Sequence, residues 1–396
     1  MAKVFVVYEN VEPSNIEAVR VLKIGESRGL MVVRNATATK VGAADLMWAD
    51  VLVFVRSTSR VELGLMRIAK KMHKFITLIL DDDFCSLGAN YGTDGTGYDP
   101  LRKKCLLEIL PLVDILWAVN KLLADKYCKL GGILRCAITN TMVQKYELHF
   151  TRQTGVNREK IGLAAYVNDG SLHIFEQMLR PILPMLCDRY PNKLRLYLMS
   201  LKPDLKEYED KMEVVYVPHL PYSEFKRYLG TEQIDIGLAP LDNEGFSQYK
   251  YYNKYIEYTN AGIPAIYSDV PLYNLIIKHG SNGIMCENTI KSWFDSICEL
   301  IDNPQLRKYL INCAQTQIIK EFSEDNIVSG LVRDIPELVT YRSPIYATNF
   351  LYLQIDYCRF IYGIYRIRWW LRSVWIYLRS GNINEMLIKI KSKLKR

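Results

Sequence analysis

The stretch that decides the fold is "IDIGLAPLDNEGFSQYKYYNKYIEYTNAGIPAIYSDV", residues 234–270. Its first eight residues are an apolar run bounded by polar ones, the pattern of a buried strand. A polar loop, 242–245, follows. A helix is predicted to start near Ser247, whose hydroxyl is placed to cap it. Gly262 and Pro264 end that helix, and 265–270 reads as the next strand. On such a helix Lys250, Lys254 and Glu257 stand at i, i+4 and i+7, on one face. That triple has two readings. It is the spacing of an ordinary solvated Lys–Glu row, worth a few tenths of a kcal/mol. It also suits a grip on an anion and a diol. A helix start attracts phosphate, two ammonium groups add charge, and an ionised carboxylate accepts from two vicinal hydroxyls.

Outward from this segment the chain alternates strands with helices. Toward the N-terminus the apolar runs at 3–9, 30–36, 50–57, 75–83 and 115–120 read as strands, with amphipathic helices between them. A second series starts at "KIGLAAY" (160–166), with a long helix over 170–191 and further strands at 194–200, 212–220 and 283–288. Apolar strands separated by helices imply parallel sheets covered on both faces. The expected fold class is therefore α/β, with two Rossmann-like domains facing across a cleft and a C-terminal amphipathic helical tail. The boundaries read as 1–155, 156–335 and 336–396, with the polar stretch 151–159 as the hinge.

Composition supports a globular chain of about two domains. It has 396 residues, 49% hydrophobic and 24% charged. The nine cysteines form no Cys-x-x-Cys pair, which suits reduced thiols in a cytosolic protein rather than a zinc site. The N-terminus enters a strand at once, with no signal-peptide pattern. All of the net charge of +8 lies in 343–396, which holds ten basic and two acidic residues; the rest is neutral, with 41 of each. That neutrality, and the apolar character of the tail, argue against a nucleic-acid partner.

With these residues in view, 238–270 resembles the donor-binding segment of GT-B glycosyltransferases of the family 4-like, group 1 type. Phe246, Lys250, Lys254, Glu257, Gly262, Pro264 and Ser268 match that pattern in order. "KIGLAAY", "LVDILWAVNKLLADKY" and "GSNGIMCEN" resemble other segments of the family. The resemblance implies a nucleoside diphosphate sugar donor. Glu257 would hold the ribose, and Lys250 and Lys254 the diphosphate, with Phe246 and Ser247 beside them. Val217 and His219, in "VPHLPYSEF", would line the nucleobase. It implies transfer to a glycan or lipid-linked acceptor in cell-surface polysaccharide synthesis, with retention of configuration, no cofactor and no metal. Two departures stand out: Glu244 is thirteen residues before Glu257 rather than eight, and "AAYVNDGSLH" lacks the Arg and Lys usual after that strand. Lys250, Lys254 and the helix start must then carry the diphosphate, and a non-catalytic nucleotide-sugar-binding component of a membrane assembly becomes the alternative.

The run Asp81–Asp82–Asp83 invites a metal, and with it a metal-dependent phosphotransferase. It ends a strand of the first domain, however. Asp82 or Asp83 reads instead as a residue for orienting an acceptor hydroxyl, or one of the run simply caps the following segment or pairs with a lysine. The glycine-rich loop 88–100 reads as a flap, and His173 as a lone histidine. In the tail, "FLYLQIDYCRFIYGIYRIRWWLRSVWIYLRS" (350–380) is too rich in arginine to span a membrane. Its aromatic and basic residues suit 366–396 to the anionic surface of the inner face of the plasma membrane. Packing back on the first domain is the other reading, and the two combine if 335–365 packs and 366–396 lies on the membrane.

Overall fold

The computed structural model describes residues 1–10, 13–86, 100–140, 160–168, 170–344 and 350–380. The predicted hinge, the flap up to residue 99 and the last sixteen tail residues lie outside these. Two compact units emerge, Met1–Thr139 with Gly330–Arg396, and Asn140–Ser329.

The first unit is a six-stranded sheet: β1 (Ala2–Tyr8), β2 (Met31–Thr37), β3 (Val51–Val55), β4 (Phe75–Leu80), β5 (Ile115–Ala118) and β6 (Cys136–Ile138). The order is β2-β1-β3-β4-β5-β6 and every pairing is parallel. β3 and β4 are buried at every position. That is why they read as unbroken apolar runs: both sheet faces are covered. Its helices are α1 (Pro13–Ser27), α2 (Ala43–Trp48), α3 (Arg60–Lys71), α4 (Pro100–Ile109) and α5 (Lys121–Gly131).

The start of α3 has a measurable consequence. Ser59 and Glu62 form a capping box. The fully buried Glu62 carboxyl accepts from Ser57 Oγ (2.8 Å), Thr58 N (3.1 Å) and Ser59 N (3.0 Å). Burial, aided by the charge of Glu9, nonetheless pushes its pKa up to about 7. The unfolded chain releases this proton near pH 4.5, the folded chain near 7. The group's contribution is therefore complete below pH 4.5 and is lost as pH rises through 7, by about 3 kcal/mol in all. Glu62→Gln, whose amide can face Ser57, is expected to flatten the melting temperature–pH profile across that window. Thermal melts from pH 4 to 8 check it.

The second unit has β7 (Ile161–Val167), β8 (Leu194–Ser200), β9 (Glu213–Pro218), β10 (Ile236–Ala239), β11 (Ala265–Ser268) and β12 (Ile284–Cys286). Its order, β12-β11-β10-β7-β8-β9, is again all parallel, with the crossover point between β7 and β10. The helix predicted over 170–191 is broken. Pro181 and Pro184 cannot donate to the helical ladder, and a π turn and a 3-10 turn precede α6 (Leu183–Arg189). Next come α7 (Tyr222–Thr231), α8 (Asn253–Asn260), α9 (Pro271–Asn274), α10 (Ile290–Asp302), α11 (Pro304–Glu321) and α12 (Glu324–Asp334). The chain closes with α13 (Glu337–Thr340) and the 30-residue α14 (Leu351–Ser380). The described residues from Gly330 onward group with the first unit.

Candidate functional site at the carboxyl edge of the second sheet

Open parallel sheets bind ligands beyond the carboxyl ends of their strands, at the crossover point. In the second sheet that edge is built by the residues after β7, β9, β10 and β11. The segment that opened the sequence analysis supplies most of it, in a form the sequence did not predict. Gly245–Tyr249 is a 3-10 turn, Lys250 is extended (φ −64°, ψ 168°), and the α-helix begins only at Asn253. Ser247 is buried and does not cap α8. The N-cap position is Tyr252, which makes no side-chain cap. Lys250 therefore does not share a helical face with Lys254 and Glu257. It stands before the helix, its ammonium 5.1 Å from the centre of the buried Phe246 ring.

The reason is tertiary. The hydroxyls of Tyr251 and Tyr252 both donate to Asn140 Oδ1 at 2.8 Å, and both rings are buried. This holds 250–252 out of the helix. Three further anchors fix α8. Tyr258 points its hydroxyl at the carbonyls of Ala164 in β7 (3.2 Å) and Leu238 in β10 (3.3 Å). Its ring passes where a Cβ on Gly237 would stand 2.8 Å away, so only glycine fits there. The Asn282 amide, from "GSNG", donates to Tyr255 Oη (3.1 Å) and the Ile276 carbonyl (3.0 Å).

Lys254 and Glu257 then meet at the edge. Lys254 Nζ is 2.7 Å from Glu257 Oε2, and the carboxylate side chain is only 7% exposed. The ammonium lies over two rings as well, 4.2 Å from the centre of Tyr166 and 4.9 Å from Phe225. This is more than a surface pair. A half-buried ammonium between a carboxylate and two aromatic faces is a fixed positive charge. His219 joins this group, with Nδ1 3.4 Å from Tyr166 Oη, while Val217 is buried within β9.

The loop after β10 is held by a closed polar ring. Leu241 N donates to Ser268 Oγ (2.8 Å), Ser268 Oγ to Asn288 Oδ1 (2.6 Å), and Asn288 Nδ2 to the Leu241 carbonyl (2.8 Å). Across the crossover point, His173 Nε2 lies 2.7 Å from Asp242 Oδ2. His173 is thus not a lone histidine but a tie between the loops after β7 and β10. Sequence reasoning missed Tyr166, Phe225, Asp242 and Asn288. Tyr166 closes the strand run "KIGLAAY", the one local signal available.

In the first unit the aspartate run is paired within its own sheet edge. Arg56 lies 3.2 Å from Asp81 and 3.4 Å from Asp82. The buried Asp83 accepts from Lys126 Nζ (2.5 Å) and Tyr127 Oη (2.9 Å).

Comparison with known proteins agrees with this architecture. Residues 167–303, about a third of the chain, match the family model described as Glycosyl transferases group 1. That span contains the whole 234–270 segment. Among solved structures, Anabaena Alr3699/HepE in complex with UDP-glucose is 11% identical, with a TM-score of 0.53 over 85% of this chain and 100% of that one. Sucrose-phosphate synthase from Thermosynechococcus elongatus gives 10% and 0.57 over 85% and 99%. The lipopolysaccharide outer core galactosyltransferase WaaB gives 12% and 0.53 over 84% and 99%. No curated protein matches the sequence. The fold is that of the two-domain GT-B glycosyltransferases. The second unit carries the matching group 1 segment.

Proposed function

We propose that the protein is a glycosyltransferase. It would move a sugar from a nucleoside diphosphate sugar to a hydroxyl of a glycan or lipid-linked acceptor, in cell-surface polysaccharide synthesis. The bond from the anomeric carbon to the diphosphate breaks, a bond to the acceptor oxygen forms, and the hydroxyl proton passes to the departing diphosphate. The observation that carries this reading is the Lys254–Glu257 pair at the crossover edge of a unit matching the group 1 family. Lys250, Lys254 and the uncapped start of α8 face the diphosphate and stabilise its charge as it departs. Glu257 accepts from the ribose hydroxyls, and Val217 and His219 border the base. Phe246 and Ser247 set the position of Lys250. Asp82, held by Arg56, lies on the unit that receives the acceptor. The reaction is proposed to retain configuration and to need no bound metal. It would run at the inner face of the plasma membrane; among the described residues no helix is long and apolar enough to cross one.

A panel of nucleotide sugars tests the reading. One of them should be turned over in excess chelator when cell-surface glycan or lipid-linked acceptors are supplied. Turnover that disappears with chelator would instead favour a metal-dependent transfer centred on Asp81–Asp83. Donor binding that is lost in Glu257→Ala, with no turnover on any acceptor, would favour a non-catalytic binding component.

A further inference from the structure

Among the described residues, eleven of the 24 exposed large apolar side chains fall between Phe350 and Leu378, on or beside α14. The helix has two different faces. The inner one is fixed to the first unit. Leu351, Ile355 and Tyr362 are buried. Cys358 Sγ occupies the space where a Cβ on Gly64 would be 2.4 Å away. Arg359 donates to the Val41 carbonyl (2.8 Å), and Tyr362 Oη to Glu9 Oε1 (2.9 Å). The outer face carries Leu353, Tyr357, Phe360, Ile364, Ile367 and Leu371, at alternating spacings of four and three, each 49–64% exposed. Such spacing is one continuous stripe on a helix.

Two occupants suit an apolar stripe of this length, a second copy of the chain or a lipid surface. Charge decides between them. From Tyr357 to the end of α14 there are five arginines and no acidic residue. Arg366, Arg368 and Arg379 are exposed. Helices that pair along a heptad stripe match opposite charges across it, and two copies of α14 would bring five arginines each together against one acid, Asp356, which Arg359 of the same helix already pairs at 2.9 Å. Anionic headgroups satisfy the same arginines, and the flanking exposed Trp370 and Trp375 suit the headgroup level.

We infer that α14 lies flat on an anionic bilayer, with the stripe from Leu353 to Leu378 in the headgroup boundary and its inner face still seated on the first unit. This places the membrane contact along the whole described helix rather than only beyond residue 366. It gives the membrane partner of the proposed glycosyl transfer a defined surface, and in that sense rests on that reading.

The test is flotation of the full chain with vesicles of phosphatidylcholine alone or with a third phosphatidylglycerol. The wild type is expected to float with the anionic vesicles and much less with the neutral ones. Leu371→Ser with Trp375→Ser should lower the bound fraction at least tenfold, and Arg366→Glu with Arg368→Glu by roughly fivefold or more per charge. Leu134→Ser, at an exposed site remote from α14 in sequence, should leave it unchanged. Because the substitutions are on exposed positions, their melting temperatures should stay near wild type. A wild type that stays unbound, or outer-face variants that float equally well, would overturn the inference. So would a dimer in sedimentation that Leu371→Ser dissociates. A donor-induced rise in melting temperature, measured without vesicles, separates this failure from failure of the glycosyltransferase reading.

Discussion

Lys254→Met is expected to lower kcat/KM for the nucleotide sugar by roughly 10²–10³-fold, the cost of removing one pre-positioned group that stabilises charge in a transition state. The thioether chain can still lie over Tyr166 and Phe225, so the packing survives and the charge does not. The loss should fall mainly on kcat, because the diphosphate gains its full charge only as the glycosidic bond breaks. Steady-state kinetics beside a melting curve separates this from misfolding. A variant with near-wild-type kcat would remove Lys254 from the chemistry and return it to a structural ion pair.

Glu257→Gln should have the opposite signature. The carboxylate is proposed to accept from a ribose diol that is the same in ground and transition states, so its loss weakens binding uniformly. Donor affinity is expected to fall about 10–100-fold, as for a hydrogen bond to a charged group, with kcat little changed. Calorimetric titration with the nucleotide alone reads this directly. Part of the loss is indirect, because Lys254 then has no counter-charge at 2.7 Å. The double variant with Lys254→Met reveals that coupling by departing from additivity.

The sequence made the sheets legible because their strands are buried on both faces. A short unbroken apolar run such as Phe75–Leu80, flanked by polar residues, is what a strand covered on both sides requires. β6 was missed. Its three residues at the sheet edge, with Cys136 and Ile138 exposed, carry too little pattern. In the site, Lys254 and Glu257 were legible because they sit on one short helix, where spacing reports position. Lys250 was assigned to the same face wrongly, because the contact that straightens 250–252 comes from Asn140, more than 100 residues away. Periodicity reports only local geometry. The same limit explains why His173 read as isolated: Asp242 is 69 positions on. In the tail, the aromatic and basic residues pointed to a membrane surface from 366 onward. Packing back was the other reading, but which residues from Leu351 on form the inner face shows only with the helix seated on α3.

The carboxyl edge of the second sheet is proposed to hold a nucleoside diphosphate sugar through Lys254 and Glu257. The most direct measurement is the melting temperature of wild type and of Glu257→Ala with each of a panel of nucleotide sugars, in chelator. At about a hundredfold excess over Kd the wild type should gain about 2.7 kcal/mol, a rise of roughly 3 °C for a chain of this length, with one of them. The variant should gain little. A wild type that no nucleotide sugar shifts, or a variant stabilised as strongly as wild type, would contradict the account.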